Sequence, residues 1–192
     1  MKPYLLGIDI GTSACKVAVF EKSGTVVAAA NGDYPVYYPK EGWAEQNPEE
    51  WWSAVCQAVK KVIEKAGIQP EEIAGIGIDG QSWSAIAMDK DGNVLTNTPI
   101  WMDTRAQSIC DRLNEEIGAD KIFEVSGNSL QPSYTTAKIL WYKENLPEVY
   151  AKIDKILQSN SYIAYKLTGV MSQDVSQRSE ERRVGKECSV TC

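Results

Sequence analysis

A carboxylate, a glycine and two hydroxyls follow an apolar run near the start of the chain: Gly7-Ile8-Asp9-Ile10-Gly11-Thr12-Ser13. These residue types, in this order, suit the phosphates of a nucleotide. Gly11 has no side chain, so backbone N–H groups can approach an anion closely. Thr12 and Ser13 add hydroxyl donors. Bare phosphate would repel Asp9, which points to the Mg²⁺ that accompanies a nucleotide as its partner. The stretch is not a P-loop. Lys16 follows at about the right distance, but the second glycine and the Ser/Thr of G-x-x-x-x-G-K-[ST] are missing. The same residues also fit a plain hairpin with a glycine turn, and Lys16 also fits a solvated strand position.

The chain contains no histidine. That excludes Ser-His-Asp and Cys-His nucleophile pairs, His-ligated metals and imidazole bases. Acid–base work falls to carboxylates, and oxygen-ligated Mg²⁺ is the natural metal. A net charge of −6 argues against a nucleic-acid partner. No segment approaches the length of a membrane span, and the N-terminus lacks the long apolar region of a signal peptide. The five cysteines show no metal-ligand spacing. Cys15, Cys56 and Cys110 therefore read as reduced thiols of a cytoplasmic protein.

Periodicity and punctuation predict the secondary structure around these residues. Residues 4–10, 15–20 and 25–31 read as strands, with the candidate phosphate turn between the first two. Asn47 is an N-cap, Pro48 suits the first helical position, and Glu50 has capping-box spacing. Trp51, Val55, Val59 and Val62 then recur on one helix face until Gly67. Residues 73–78 form a further strand that ends on Asp79-Gly80-Gln81. A hairpin is expected from residues 84–88 through the turn 89–92 to Val94 and Leu95. Helices are expected over 104–117, 135–144 and 159–167, with a short strand at 155–157. Three strands, a helix and a strand, in that order, predict an α/β domain of the ribonuclease-H-like (actin-like ATPase) class, a mixed sheet with flanking helices. Asp9 and Asp79 both fall at strand ends, where nucleotide sites of open α/β folds lie. Asp79 is equally an ordinary turn residue.

Residues 178–192 differ from the rest. Arg178-Ser179-Glu180-Glu181-Arg182-Arg183-Val184-Gly185-Lys186-Glu187-Cys188 is highly charged and carries no apolar period. It reads either as a solvated tail or as a non-native segment, since it resembles, residue for residue, the in-frame translation of a common sequencing-library adapter. On the second reading, residues 1–177 are an incomplete N-terminal domain and the gene product is longer than this chain.

Four stretches together resemble the FGGY-family carbohydrate kinases. They are the segment Gly7 through Ser13; Gly42-Trp43-Ala44-Glu45-Gln46-Asn47-Pro48-Glu49-Glu50-Trp51-Trp52; Ile76-Gly77-Ile78-Asp79-Gly80-Gln81-Ser82; and Pro99-Ile100-Trp101-Met102-Asp103-Thr104-Arg105. Within the family the likeness is nearest to the xylulose kinases. It implies ATP-dependent phosphorylation of a sugar hydroxyl, most simply of a pentulose such as D-xylulose, by a cytoplasmic protein whose expected full-length form is a homodimer. ATP and Mg²⁺ are the implied cofactors. Asp9 would serve Mg²⁺ through water, and Gly11, Thr12 and Ser13 would line the phosphate turn. Gln81, Ser82, Trp83 and Asp103 would approach the sugar. The catalytic base is expected in a second domain that this chain lacks, so the chain alone is expected to be inactive. One departure bears on the sugar: xylulose kinases carry Met-His after the glutamine, where this chain has Ser82-Trp83. Trp83 either stacks on a sugar's C–H face or packs in the core. Arg105 either reaches the pocket or pairs with a carboxylate. Two other functional classes fit less well, an actin-like ATPase of non-sugar function and a non-catalytic sugar-binding module.

Overall fold

The computed structural model describes residues 3–173. The segment 178–192 lies outside them. A hairpin-led sheet forms first in the chain. β1 (Tyr4–Ile10) and β2 (Ala14–Glu21) pair antiparallel, and β3 (Val26–Asp33) pairs antiparallel with β2. After the short β4 (Glu45–Gln46) and the helix α1 (Pro48–Ala66), β5 (Ile73–Gly80) returns parallel to β1. The sheet order is β3-β2-β1-β5.

Alternation decides the two faces of this sheet. Leu6, Ile8 and Ile10 of β1 and Val17 and Val19 of β2 point to one face and are buried. They meet Trp51, Val55, Ala58 and Val62 of α1, all buried in the same cluster. Asn47 caps α1 by accepting from the N–H of Glu49 at 3.0 Å, a contact of the kind that contributes about 1 kcal/mol. The expected capping box does not close. The Glu50 carboxylate instead accepts from the Tyr37 hydroxyl at 2.7 Å. Gly67 ends the helix in the left-handed region at φ 66°.

The remaining described elements are β6 (Ile86–Met88), β7 (Thr98–Pro99), α2 (Gln107–Ile117), α3 (Ala119–Ser126), α4 (Thr135–Asn145), α5 (Pro147–Tyr150), β8 (Lys155–Leu157) and α6 (Ser159–Thr168). Ile86 and Met88 of β6, Leu157 of β8 and Tyr162 and Ile163 of α6 join the cluster of the sheet and α1, while Ala85, Ala87, Ile109, Cys110, Ala137 and Trp141 gather in a second cluster around α2 and α4. The expected hairpin forms: the Asp89 N–H donates to Asn93 O at 3.0 Å, Met88 bridges Val94 antiparallel, and the Leu95 N–H donates to Ala87 O at 2.9 Å. β6 also pairs antiparallel with the distant β8. β4 pairs with β7, a contact between two strands too short to read from periodicity. The helix expected from residue 104 begins at Gln107, because Thr104 donates its N–H to Gly42 O and Arg105 donates its N–H to the Asp103 carboxylate. α3 and α5 were not expected. α6 returns to the sheet beside β5 and α1. Among the described residues no helix is long and apolar enough to cross a membrane.

Candidate active site

The connection from β1 to β2 is a tight turn. The Gly11 N–H donates to Ala14 O at 3.1 Å, and a Cβ at Gly11 would sit 2.9 Å from that same oxygen. Glycine is thus required by the turn's own closure, and its N–H is spent within the chain rather than directed at an anion. The turn's carbonyls are gathered from behind. The Tyr34 hydroxyl donates to Gly11 O at 2.7 Å and Gln46 Nε2 to Thr12 O at 2.8 Å. Burial pushes the Tyr34 phenol well above its usual range, so it remains a donor. The Thr12 hydroxyl accepts from Trp101 Nε1 at 3.0 Å, which leaves its hydrogen to donate elsewhere. Ser13 is exposed.

Two carboxylates stand side by side just before this turn. Asp9 is in register with Asp79 on β5 and, across the other edge, with Lys16 on β2. All three lie on the sheet face opposite α1, as alternation from buried Ile8 and Ile10 requires. They line one end of an open recess of about 670 Å³, whose floor is flattened by Gly7 and Gly77. Among the described residues no group of three or more His, Cys, Asp or Glu is gathered to hold a metal. Two hard carboxylates fit Mg²⁺, which is usually held by one or two carboxylates together with water and substrate phosphate.

β5 leads into a second loop. Gln81 donates its N–H to Ile10 O at 2.8 Å, and its carbonyl accepts from the Ser159 hydroxyl of α6, also at 2.8 Å. A Cβ at Gly80 would stand 2.5 Å from that hydroxyl, so glycine is needed for α6 to come this close. Ser82 is exposed. Trp83 adopts φ 64°, and it is the one residue other than glycine with positive φ among those described. A bulky residue in the left-handed region costs roughly 1–3 kcal/mol and persists only where its surroundings hold it. The holding group is Lys138 of α4, fully buried, whose ammonium donates to Trp83 O at 2.6 Å and to Ile100 O at 2.8 Å. The Trp83 ring lies against Tyr134, centroids 5.1 Å apart. Two polar atoms of this loop are shielded from solvent yet have no partner among the described residues, Gln81 Oε1 and Trp83 Nε1.

Asp103 sits differently. It is fully buried, and its two oxygens accept from the Ala44 N–H, the Arg105 N–H and the Arg105 guanidinium. Arg105 also reaches Glu45 at 2.8 Å and stacks over Trp43, 3.9 Å from the ring centroid. Burial opposes the charge on Arg105, but its hydrogen bonds to Asp103 and Glu45 outweigh burial and raise its pKa. A carboxylate receiving this many donors has no lone pair left for a ligand. Arg105 therefore takes the carboxylate-pair alternative.

A sequence model for the FGGY family of carbohydrate kinases, N-terminal domain, matches residues 4–183. The chain belongs to the FGGY family of carbohydrate kinases. It is 34% identical over 173 residues to the xylulose kinase of Bacillus subtilis, covering 90% of this chain and 34% of that protein. It is 31% identical over 183 residues to the glycerol kinase of Thermococcus gammatolerans, covering 93% of this chain and 37% of that protein. Among solved structures, the ligand-bound xylulose kinase of Lactobacillus acidophilus superposes with a TM-score of 0.85 at 30% identity, over 93% of this chain and 36% of that one. The chain thus spans about a third of the length of the relatives it matches. Its mixed sheet with flanking helices is the actin-like ATPase fold of these kinases.

Within this FGGY domain the residues singled out from sequence divide into two groups. Asp9, Gly11, Thr12 and Ser13 are brought together with Gln81 and, through Thr12, with Trp101. Asp103 is instead withdrawn into the clamp beneath Trp43. Sequence reasoning passed over Gln46 and Lys138 as site residues. Their signal is weak: Gln46 lies inside a family stretch without an assigned role, and Lys138 falls within the helix expected over 135–144 with nothing in the sequence to single it out. Only their burial marks them.

Proposed function

We propose that the whole protein transfers the γ-phosphoryl group of ATP to a hydroxyl of a small sugar, a pentulose such as D-xylulose. Its place of action is the cytoplasm. The observation that carries this reading is the loop Gln81–Trp83. A strained tryptophan, a shielded acceptor and a shielded donor stand there, directly bonded to the turn that follows Asp9. Strain and unmet hydrogen bonds of this kind are characteristic of ligand sites. The similarity to the Bacillus subtilis xylulose kinase supports the pentulose.

In this reading Asp9 and Asp79 hold Mg²⁺, which supplies charge neutralisation at the phosphates when bound. Thr12 and Ser13 donate hydroxyls to phosphate oxygens. Gln81 Oε1 accepts from a sugar hydroxyl, Trp83 Nε1 donates to another, and Ser82 adds a further hydroxyl at the loop's exposed edge. Lys138 holds Trp83 in its left-handed conformation. Asp103 acts through the clamp rather than by touching the sugar. Positioning of this kind is worth several kcal/mol in phosphoryl transfer. The base that accepts the hydroxyl proton lies outside this chain, and the chain by itself does not phosphorylate sugars.

The test supplies the complete protein, and separately this chain, with Mg·ATP and a panel of pentuloses, hexoses and polyols, and follows ADP and sugar phosphate. Sugar-dependent ADP release by the complete protein only is the expected result. ATP hydrolysis indifferent to every sugar would favour an actin-like ATPase of another function. Sugar binding with no nucleotide turnover would favour a binding module. Robust turnover by this chain alone would place the base among its own carboxylates.

A further inference from the structure

Gln46 lies fully buried in β4, between the phosphate turn and the loop that carries Gln81. Its Nε2 donates to Thr12 O at 2.8 Å and to Pro35 O at 3.0 Å. Carbonyls only accept, so this pair fixes which end of the amide is nitrogen. Its Oε1 therefore faces the other way and accepts from Gln81 Nε2 at 2.8 Å. The same Gln81 nitrogen comes within 3.5 Å of Gly11 O. One buried amide thus closes a ring of contacts from Thr12 through Gln46 and Gln81 back to Gly11.

Such a ring resists independent motion of its parts. A shift of Gln81 would strand the Gln46 acceptor, and a shift of the turn would strand its donor, each at the cost of an unmet buried hydrogen bond. Gln46 cannot follow either neighbour freely. Its strand pairs with β7, and the adjacent Glu45 is tied to Arg105. Gln81 Oε1, the other end of the same amide, is shielded and without a partner among the described residues.

We propose that Gln46 is a positioning residue that couples the two halves of the site, so that a sugar on Gln81 and the phosphates on the Thr12 turn strengthen each other's binding. The proposal rests on the site reading given above. A hydroxyl that donates to Gln81 Oε1 fixes the plane of that amide. Its nitrogen then stays on Gln46 Oε1 and Gly11 O, and the turn keeps its carbonyls inward and its hydroxyls outward. By linkage, phosphate on the turn must favour the sugar by the same factor.

The test is an NMR titration of the isotope-labelled chain with millimolar Mg·ATP, with D-xylulose, and with both. Each ligand alone should shift the side-chain amide signals of Gln46. Mg·ATP should bind about fivefold more tightly when D-xylulose is present, within the usual range of coupling between sites. In Gln46→Met, which removes donor and acceptor at similar volume, both ligands should bind and the coupling factor should fall to near one. If that variant does not fold, the wild-type Gln46 signals decide alone. Signals of Thr12 and Trp83 that move while those of Gln46 stay fixed would overturn the coupling and leave the site reading intact. Undiminished coupling in Gln46→Met would do the same. No shift anywhere in the chain with either ligand would overturn the site reading, and the coupling with it.

Discussion

The phosphate turn and the loop Gln81–Trp83 meet in one place but are held by different physics. The turn is local. Two adjacent strands of a hairpin fix it, and its backbone closes on itself through Gly11 and Ala14. The loop is held from a distance. Its left-handed Trp83 depends on Lys138, its Gln81 carbonyl on Ser159, and its amide on Gln46. A local turn costs little to order and is relaxed as built, whereas a loop held by remote groups can store strain. In the proposed reading the turn takes a group common to all nucleotides, and the loop tells one sugar from its relatives.

Between the two lies the Asp103–Arg105–Glu45 clamp, which supports both. It ties the segment of Gln46 to the segment of Trp101, and both of these side chains reach over to the turn. Breaking it should have the largest effect on stability. Asp103→Ala leaves a guanidinium that is 3% exposed without its main partner, which should cost on the order of 3–5 kcal/mol. Urea unfolding measures this directly. A loss below about 1 kcal/mol, as for a surface substitution, would show that the clamp is dispensable and free Asp103 for a direct role at the sugar.

The next substitution breaks the turn's side alone. Asp9 is exposed and its carboxylate supports no described element, so Asp9→Ala should leave stability within about 0.5 kcal/mol of the parent. In the complete kinase it should lower turnover by on the order of a hundredfold, as for loss of one preorganised electrostatic contact. Near-normal turnover with an unchanged unfolding midpoint would remove Asp9 from the proposed Mg²⁺ site.

This division also explains what could be read from the chain beforehand. β1, α1 and β5 were legible because each carries its own signal: an apolar run, a cap followed by one buried helix face, a strand that stops at Asp79-Gly80. The tight glycine turn after Asp9 was legible for the same reason. The pairings β4 with β7 and β6 with β8 were not, since two- and three-residue strands have no period and their partners lie far along the chain. Asp103 was placed at the sugar because its motif is specific to the family. A motif says that a residue is constrained and leaves open by what; its constraint is Arg105 and the Ala44 N–H. Lys138 was invisible because a lysine in a helix reads as solvated until its burial is known.

Lys138→Met should act on the loop and spare the turn. The substitution keeps the bulk of the stem but leaves Trp83 O and Ile100 O without their charged donor, a loss of about 2–3 kcal/mol by the usual worth of hydrogen bonds to charged groups. Without that donor the left-handed conformation of Trp83 should relax. The near-ultraviolet circular dichroism of the Trp83–Tyr134 pair should weaken, and D-xylulose should bind at least about tenfold more weakly, equivalent to 1.4 kcal/mol. Mg·ATP affinity should change by less than about threefold, or 0.7 kcal/mol. Equal loss at both ligands would mean that the two regions are one rigid unit and that their separate support is illusory.

The smallest effect is a pH dependence on the loop's side of the molecule. α6, which supplies Ser159 to Gln81, is also tied to α1 through Glu49, whose carboxylate accepts from the Tyr162 hydroxyl at 2.7 Å and from the Lys166 ammonium at 3.0 Å. Partial burial works to raise the Glu49 pKa, but the Tyr162 and Lys166 contacts outweigh it and hold the carboxyl below its ordinary value. A group whose folded pKa is depressed binds its proton less tightly when folded than when unfolded. Its contribution is therefore fully present above the unfolded value, near 4.3 for glutamate, and is lost as pH falls through the folded one. Because Glu49 is exposed, solvent screening keeps this contribution to a few tenths of a kcal/mol. Thermal midpoints of the chain and of Glu49→Gln should converge as pH is lowered from about 6 to 3, across the range in which this carboxyl takes up its proton. Added salt should narrow the gap at the upper end, since an exposed pair is screened. Parallel pH profiles for the two would show that α6 is docked without help from this ion pair, and that Ser159 alone fixes the loop from that side.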